Sequence, residues 1–292
     1  MCRLFGMTSG RERVKAEFWL LDASDSLESQ SRRNPDGTGL GTFREDGTPR
    51  VEKQPLAAFE DAAFAREAAS RESSTFLAHV RYSTGTAHTV ENTHPFEMDG
   101  RLCAHNGAVG ETDRIERELG DAMSLVKGQT DSERIFALVT REIRAGAGVG
   151  EAMTRAVRWL AENVPVFAVN LILTTPDELW ALRYPETHEL WVLERTAAQG
   201  GETVAPGTSE GSRVRSEELS SKPSVVVASE RLDDDPGWRL IDTGTLLHVD
   251  AQLSVTETAA VRGEPRRRLE MNEPGSGDAS PQDASPSGGS GS

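Results

Sequence analysis

The sequence has little cysteine, few aromatic residues and no long apolar runs. It contains two cysteines, Cys2 and Cys103, among 292 residues, so no disulfide framework is implied. It has no run of about 18 apolar residues and no basic-then-apolar leader, which argues against a membrane span and a signal peptide. We therefore expect a cytoplasmic protein.

Basic residues are too few to balance the acidic ones. The chain has 32 Lys and Arg residues against 47 Asp and Glu residues, which gives a formal net charge of −15. Nucleic acids and anionic membranes are bound by basic surfaces, so we expect neither as a partner. Hydrophobic residues make up 36% of the chain, which is enough for one large core or two small ones.

Hydrophobic periodicity predicts one α+β domain over residues 2–262, with antiparallel groups of strands covered by helices. A polar stretch at 196–223 predicts a surface loop, and the Pro/Gly/Ser-rich segment 263–292 predicts a disordered tail. The pattern also predicts one helix over 14–31, a meander of three strands over 167–194, and a last strand at 245–249.

Cys2, directly after the initiator methionine, is the most informative residue of the chain. A small residue at position two lets Met1 be removed, which leaves a thiol and a free α-amine on one residue. The amine titrates near pH ~8 and can accept the thiol proton close to neutrality. Because the thiolate is the reactive form, Cys2 would be a nucleophile with its own base. The alternative is a chance cysteine in a fraying terminus.

Arg81 is predicted to end an apolar strand, with hydroxyl residues Ser83 and Thr84 close behind it. The planar guanidinium fork of an arginine in this position can bind a carboxylate through two parallel hydrogen bonds. A solvent-facing arginine that caps the strand would fit the same pattern.

His105, Asn106 and Gly107 form a second short motif after a predicted strand. An Asn side chain and a Gly backbone N–H can aim two donors at one point. Such a pair makes an oxyanion hole, in which one donor is worth ~3 kcal/mol. An ordinary Asn-Gly turn is the alternative interpretation.

Thr130 and Glu133 have the spacing of a capping box and predict the start of a helix. Asp131 then lies at the helix N-terminus, where its carboxylate suits either the helix dipole alone or a substrate ammonium. A carboxylate clamp and an ammonium clamp fit the α-groups of an amino acid. A nucleophile and an oxyanion hole fit cleavage of its side-chain amide. The predicted substrate is therefore glutamine or another γ-glutamyl compound.

In this order the motifs resemble those of the class II glutamine amidotransferases, which belong to the N-terminal nucleophile hydrolases. The matching segments are Met1-Cys2, Asp36-Gly37-Thr38-Gly39, Arg81-Tyr82-Ser83-Thr84, Asn92-Thr93-His94-Pro95-Phe96, His105-Asn106-Gly107 and Thr130-Asp131-Ser132-Glu133. The resemblance covers roughly residues 2 to 250. It implies an αββα sandwich of four layers, in which two antiparallel sheets lie between helical layers.

The resemblance also implies a role for each matching position. Cys2 would be the nucleophile, Arg81 would hold the substrate α-carboxylate, Asp131 would hold the α-ammonium, and Asn106 with Gly107 would form the oxyanion hole. Ser83 and Thr84 would contribute hydrogen bonds near the carboxylate, and His105 would support its loop rather than act as a base. No cofactor is implied. We predict no metal site, because Cys103 and His105 have no second ligand pair at zinc spacing.

The resemblance leaves the type of family member open, because many class II amidotransferases are fused to a synthase domain for which this chain has no room. We therefore expect either a free-standing hydrolase or a glutaminase subunit that supplies ammonia to a separate synthase. The segment Ala228-Ser229-Glu230 resembles small free-standing members, which include γ-glutamyl hydrolases of ergothioneine biosynthesis and glutathione breakdown.

Two observations bear on these alternatives. Leu4 departs from the Met-Cys-Arg-His start of the ergothioneine enzymes, which cleave γ-glutamyl hercynylcysteine sulfoxide. A non-catalytic regulatory module that binds γ-glutamyl compounds is a further alternative. A retained Met1 would favour it, because a blocked amine removes the base.

Overall fold

The computed structural model describes residues 2–83, 85–195 and 222–270. Within these ranges, thirteen strands form two fully antiparallel sheets. The strands are β1 (Arg3–Thr8), β2 (Thr38–Phe43), β3 (Pro49–Gln54), β4 (Thr75–Val80), β5 (Phe96–Met98), β6 (Arg101–Val109), β7 (Val166–Thr174), β8 (Leu179–Leu182), β9 (Trp191–Arg195), β10 (Ser224–Ala228), β11 (Arg239–Leu240), β12 (Thr245–Val249) and β13 (Val255–Ala259). One sheet has the order β11-β9-β10-β1-β4-β2-β3 and the other β13-β12-β8-β7-β6-β5.

Helices cover the outer face of each sheet. They are α1 (Leu27–Ser31), α2 (Ala62–Ser70), α3 (Thr112–Leu119), α4 (Asp131–Arg144) and α5 (Val149–Asn163), with a π-helical turn at Phe18–Asp22 and 3₁₀ turns at Ala58–Glu60 and Gly120–Leu125. Helices α3 to α5 pack on the six-stranded sheet, whereas α2 and the π-helical turn pack on the seven-stranded sheet. The predicted α+β sandwich of four layers is thereby confirmed.

A third apolar cluster lies between the two sheets and holds them together. Leu4, Leu77 and Ile172 are fully buried there, and burial of each such side chain stabilises the fold by about 2 kcal/mol. Gly6 lies on the central strand β1 of its sheet, and a Cβ at Gly6 would lie 2.8 Å from Ile172 Cγ2. The absence of a side chain there lets the sheets approach closely at β1.

The start of β1 lies between the ends of its two neighbours. In register, Arg3 pairs with Val80 of β4, and Phe5 pairs with Ala228 of β10. Because the pairing is antiparallel, the residues that follow β4 and β10 reach the residues at the start of β1. This topology brings three distant segments of the chain together around Cys2.

Three local predictions were wrong. The segment 14–31 forms the π-helical turn and the short α1 instead of one helix, because Ser26 caps a new helix by accepting a hydrogen bond from Ser29 N. The meander over 167–194 breaks after β8, since β9 crosses to the other sheet and pairs with β10. Strand β12 at 245–249 is followed by β13, which pairs with it.

Residues 263–270 lie at the start of the predicted tail, yet they pack against the domain. Arg267 O accepts a hydrogen bond from Val166 N, and Leu269 N donates to Val166 O. Arg267 also pairs with Glu111. The remainder of the predicted tail, 271–292, and most of the predicted loop, 196–221, lie outside the described residues and stay predictions. None of the helices in the described ranges has the length and apolar character needed to cross a bilayer.

Buried histidines make the stability of the fold depend on pH. Burial lowers the pKa of His79 to about 3 and that of His188 to about 4, whereas a histidine in an unfolded chain titrates near ~6.5. Below pH ~6.5 the unfolded chain takes up protons that the folded protein does not. The stability that these groups contribute is therefore fully present above that pH and is lost as the pH falls.

Lowering the pH from 7 to 5 is expected to cost about 2 kcal/mol of unfolding free energy for each buried histidine. Replacement of the buried His79 by leucine should reduce this loss by about 2 kcal/mol. Urea unfolding of the two proteins at both pH values measures the difference. An equal loss in the wild type and in His79→Leu would contradict the prediction.

Candidate active site

Cys2 lies at the N-terminal end of β1, beside the segment that follows β4. Its Sγ accepts a hydrogen bond from Tyr82 N at 3.2 Å and is 3.4 Å from Tyr82 O. The residue is partly buried. Burial raises the pKa of the Cys2 thiol, against the opposing effects of the Tyr82 N–H and the Arg81 guanidinium. Cys2 therefore rests as a thiol near neutrality and needs a base to react.

Arg81 follows β4 and is 4% exposed. Its guanidinium donates to Ala87 O at 3.2 Å, to Ser83 Oγ at 3.1 Å and to Thr86 O at 3.2 Å. These hydrogen bonds hold the loop that follows β4 around the guanidinium group. Asp36 fixes the base of this loop, because its carboxylate accepts a hydrogen bond from Ser83 N at 2.7 Å. The arrangement places a buried cation next to Cys2.

The predicted hydroxyl neighbours of Arg81 differ in what the structure shows. Ser83 Oγ lies against the guanidinium and also donates to Thr86 O at 2.8 Å. Thr84 lies outside the described residues, so its predicted contribution stays a prediction. Asn92 secures the far side of the loop, since its side chain donates to Ala87 O and accepts from Gln129 N.

Asn106 and Gly107 lie within strand β6, not in a turn after it. The pairing of β6 with β7 is irregular just beyond them, between Ala108 and Val109. Gly107 has a φ of +155°, and a Cβ there would lie 1.9 Å from Ala168 O. Only glycine fits this backbone, which lies directly next to the Asn106 amide. A side-chain amide and an adjacent backbone N–H can thus serve one acceptor.

A chain of hydrogen bonds connects the start of α4 with β6. The Asp131 carboxylate accepts from Val109 N at 2.9 Å and from Ser132 N at 2.8 Å. Ser132 Oγ is 2.9 Å from His105 Nδ1, and His105 Nε2 is 3.3 Å from Ala168 O. Both ring nitrogens of His105 are therefore engaged, and burial lowers the pKa of this histidine. This environment suits a supporting residue better than a general base.

The start of α4 is capped as the sequence predicts, with one difference. Thr130 Oγ1 accepts from Glu133 N at 3.2 Å. The Glu133 carboxylate accepts from Gly128 N instead of Thr130 N, so the reciprocal half of the capping box is absent here. The cap holds Asp131 in the first turn of the helix, with its carboxylate directed toward β6.

The hydrogen bonds of Ser229 were not predicted from the sequence, although the segment 228–230 resembles small free-standing members of the family. Ser229 directly follows β10, and its Oγ accepts hydrogen bonds from Leu4 N at 3.0 Å and from Asn106 Nδ2 at 3.3 Å. Asn170 was also missed. It lies opposite Asn106 in β7, and its side chain donates to Glu189 O at 3.0 Å. Nothing in periodicity shows such contacts between elements distant in sequence.

Cys2, Arg81, Asn106 and Asp131 thus come from four different segments, which the sandwich brings to one end of the two sheets. Hydrogen bonds join Cys2 to Tyr82, Asn106 to Ser229, and Asp131 to Val109. In the ranges that the structure describes, no group of three or more His, Cys, Asp or Glu side chains is placed to hold a metal ion.

Comparison with known proteins relates this fold to one family. The family model for class II glutamine amidotransferases matches residues 1–273. The chain is 25% identical to the probable glutamine amidotransferase DUG3 of Saccharomyces cerevisiae, over 86% of this chain and 82% of that protein. It is 29% identical to the γ-glutamyl-hercynylcysteine sulfoxide hydrolase of Mycolicibacterium smegmatis, over 76% of this chain and 82% of that protein.

Among solved structures, the glutamine phosphoribosylpyrophosphate amidotransferase of B. subtilis superposes with a TM-score of 0.63 at 17% identity. The match covers 90% of this chain and 50% of that protein. At this identity the likeness shows a shared fold, and the chain corresponds to half of the larger enzyme.

Proposed function

Because this chain belongs to the class II glutamine amidotransferases, we propose that it hydrolyses the γ-glutamyl amide bond of glutamine or a γ-glutamyl compound. Cys2 would act as nucleophile after removal of Met1. The observation that carries the proposal is the convergence of the Cys2 thiol, the Arg81 guanidinium, the Asn106 amide and the Asp131 carboxylate at one end of the sheets.

The proposed reaction begins with a proton transfer from Cys2 Sγ to its own α-amine. The raised pKa of the thiol makes such a base necessary. The thiolate attacks the δ-carbonyl carbon and forms a C–S bond. The resulting oxyanion accepts hydrogen bonds from Asn106 Nδ2 and Gly107 N, which stabilise the negative charge that develops on the carbonyl oxygen.

The tetrahedral intermediate then collapses. The α-ammonium group of Cys2 returns its proton to the leaving nitrogen, the C–N bond breaks, and a γ-glutamyl thioester remains on Cys2. Water attacks the thioester with the α-amine as base, which releases glutamate and restores the thiol. Arg81 and Asp131 would hold the α-carboxylate and the α-ammonium of the substrate throughout.

The direct test is glutamate release by the purified protein from a panel of glutamine, glutathione and several γ-glutamyl amides, together with the intact mass. We expect a species lighter by one methionine and turnover of at least one compound. Turnover of γ-glutamyl hercynylcysteine sulfoxide alone would identify that narrower activity. A retained Met1 with binding but no turnover would instead identify a regulatory module and refute the proposal.

A glutaminase subunit is the second candidate, and a match to a small part of a longer protein supports it. The amidophosphoribosyltransferase of Methanocaldococcus jannaschii matches over 37% of this chain and 23% of its own length. A subunit of this kind would show low glutaminase activity alone and a marked increase with a co-purifying synthase. Glutamine turnover measured with and without that synthase therefore distinguishes the subunit from a free-standing hydrolase.

Replacement of Asp131 by asparagine is expected to raise the KM for the turned-over γ-glutamyl compound about 30-fold, with a smaller effect on kcat. The substitution removes the charge that would pair with the substrate ammonium, and a hydrogen bond to a charged group is worth ~2 kcal/mol. Steady-state kinetics on the substrate and on its des-amino analogue measure this. Wild-type enzyme should prefer the amino form, and the variant should largely lose that preference.

Asp113 provides a matched control, since it also lies in the first turn of a helix but is exposed and pairs with Arg117. Asp113→Asn should leave both kinetic constants unchanged. If Asp131→Asn keeps the wild-type preference for the amino form, Asp131 does not bind the ammonium.

A further inference from the structure

Ser229 joins β1, which begins directly after Cys2, to β6, which carries Asn106. Its backbone N donates to Leu4 O at 3.1 Å, and its Oγ accepts from Leu4 N at 3.0 Å. The same Oγ accepts from Asn106 Nδ2 at 3.3 Å. The next residue, Glu230, pairs with Arg3. One short segment therefore contacts both halves of the candidate site.

Resting on the proposed function, we propose that Ser229 is a positioning residue, which holds the Asn106 amide ready to receive the oxyanion. The contacts between Ser229, Leu4 and Asn106 carry this inference. Ser229 itself would not touch the substrate, and its effect on the reaction would pass through Asn106.

The geometry between the two sheets explains why such a residue is needed. Cys2 directly precedes β1 of the seven-stranded sheet, and Asn106 lies in β6 of the six-stranded sheet. The ladder hydrogen bonds within each sheet do not set the distance between these two residues. A side-chain amide carries two N–H donors. The Ser229 hydroxyl accepts one of them and leaves the second for an oxyanion beside Cys2.

The acceptor capacity of Ser229 Oγ strengthens this arrangement. A hydroxyl oxygen has two acceptor sites, and Leu4 N and Asn106 Nδ2 occupy both. The Leu4 hydrogen bond fixes the oxygen at the start of β1, so Asn106 is positioned relative to the strand that directly follows the nucleophile. The side chains of Ser229 and Asn106 are both almost fully buried, which excludes competing water.

Replacement of Ser229 by alanine is expected to lower kcat about 10- to 30-fold and to change KM less than about threefold. The loss should be smaller than that of Asn106→Ala, because removal of an oxyanion donor itself lowers kcat about 10²- to 10³-fold. In an Asn106→Ala background, Ser229→Ala should add less than a twofold loss. The rate of Cys2 alkylation by iodoacetamide should stay unchanged, because that reaction forms no oxyanion.

Ser224 provides a matched control at the other end of β10. It is buried like Ser229, but its Oγ has no hydrogen-bond partner in the part of the chain that the structure describes. Ser224→Ala should therefore leave kcat and KM unchanged. If Ser229→Ala fails to fold, Ser229→Thr, which keeps the hydroxyl, should retain kcat within about threefold.

Three kinetic outcomes would overturn the inference. They are an unchanged kcat in Ser229→Ala, an equal fold-loss of kcat from Ser229→Ala in the wild-type and Asn106→Ala backgrounds, and a tenfold loss of kcat in a folded Ser229→Thr variant.

If the wild type hydrolyses no γ-glutamyl compound, the proposed function fails, and an NMR spectrum of the side-chain amides tests the role of Ser229 instead. The Asn106 side-chain amide signal, assigned through Asn106→Asp, should shift in Ser229→Ala far more than in Ser224→Ala. An unmoved signal would overturn the inference independently of activity.

Discussion

Replacement of Cys2 by alanine is expected to abolish glutamate release, with a loss of at least roughly 10⁴-fold in kcat. The substitution removes the atom that would form the thioester, and no second thiol can take its place. The only other cysteine, Cys103, is fully buried in the core beneath the helices, and burial raises its pKa. Release of glutamate from the best compound of the panel measures the loss.

Cys103→Ala is the matched control, because it removes the other thiol of the chain without touching the site. It should keep kcat within about twofold of the wild type. Iodoacetamide should inactivate the wild type and the Cys103 variant at equal rates. Turnover by Cys2→Ala at more than a few per cent of the wild-type rate would refute the nucleophilic role of Cys2.

Replacement of Gly107 by alanine is expected to lower kcat at least about 100-fold. The added Cβ would lie 1.9 Å from Ala168 O and 2.4 Å from Ala168 C, which are backbone atoms of the paired strand β7. Because backbone cannot rotate away, β6 and β7 must separate locally. The Asn106 amide and the Gly107 N–H would both leave their positions. A loss of stability of about 2 to 3 kcal/mol should accompany the change.

Gly110 is the matched control, three residues further along the chain. A Cβ at Gly110 would meet the side chain of Pro165 at 3.3 Å and no backbone atom among its three nearest neighbours. Gly110→Ala should therefore keep kcat within about twofold. Kinetics and thermal unfolding of both variants separate a displaced oxyanion hole from general instability. If folded Gly107→Ala retains wild-type kcat, Gly107 N does not stabilise the oxyanion.

The α+β class could be predicted because helices and strands carry local hydrophobic patterns, whereas the four-layer sandwich was implied by the family resemblance. Strand β2 (Thr38–Phe43) is glycine-rich, and a Cβ at Gly39 would lie 2.0 Å from His94 O, so this strand needs glycine where another backbone approaches it. Sheet membership could not be predicted in the same way. The hydrophobic pattern of β9 would fit either sheet, and its partner β10 comes only after a long intervening segment.

The candidate site shows the same division between local and distant signals. Cys2, Arg81, Asn106 and Asp131 could be predicted as site residues because each belongs to a short motif whose residue types suit a chemical role. The contacts of Ser229 and Asn170 depend on which strand ends meet across the sandwich. Periodicity carries no information on such contacts, and side chains of Ser and Asn are common enough to pass unnoticed. The position of Asn106 within a strand was likewise hidden by the turn character of Asn-Gly.

The placement of β1 between β4 and β10 has a consequence for maturation. The first strand of the chain pairs with residues 225–228, which the ribosome makes more than two hundred residues later. Under the proposed mechanism, an aminopeptidase therefore has the whole period of synthesis to remove Met1 before the sheet closes over Cys2. Pulse-labelled chains should lose Met1 before they become resistant to protease. The opposite order would mean that the terminus stays accessible in the finished fold.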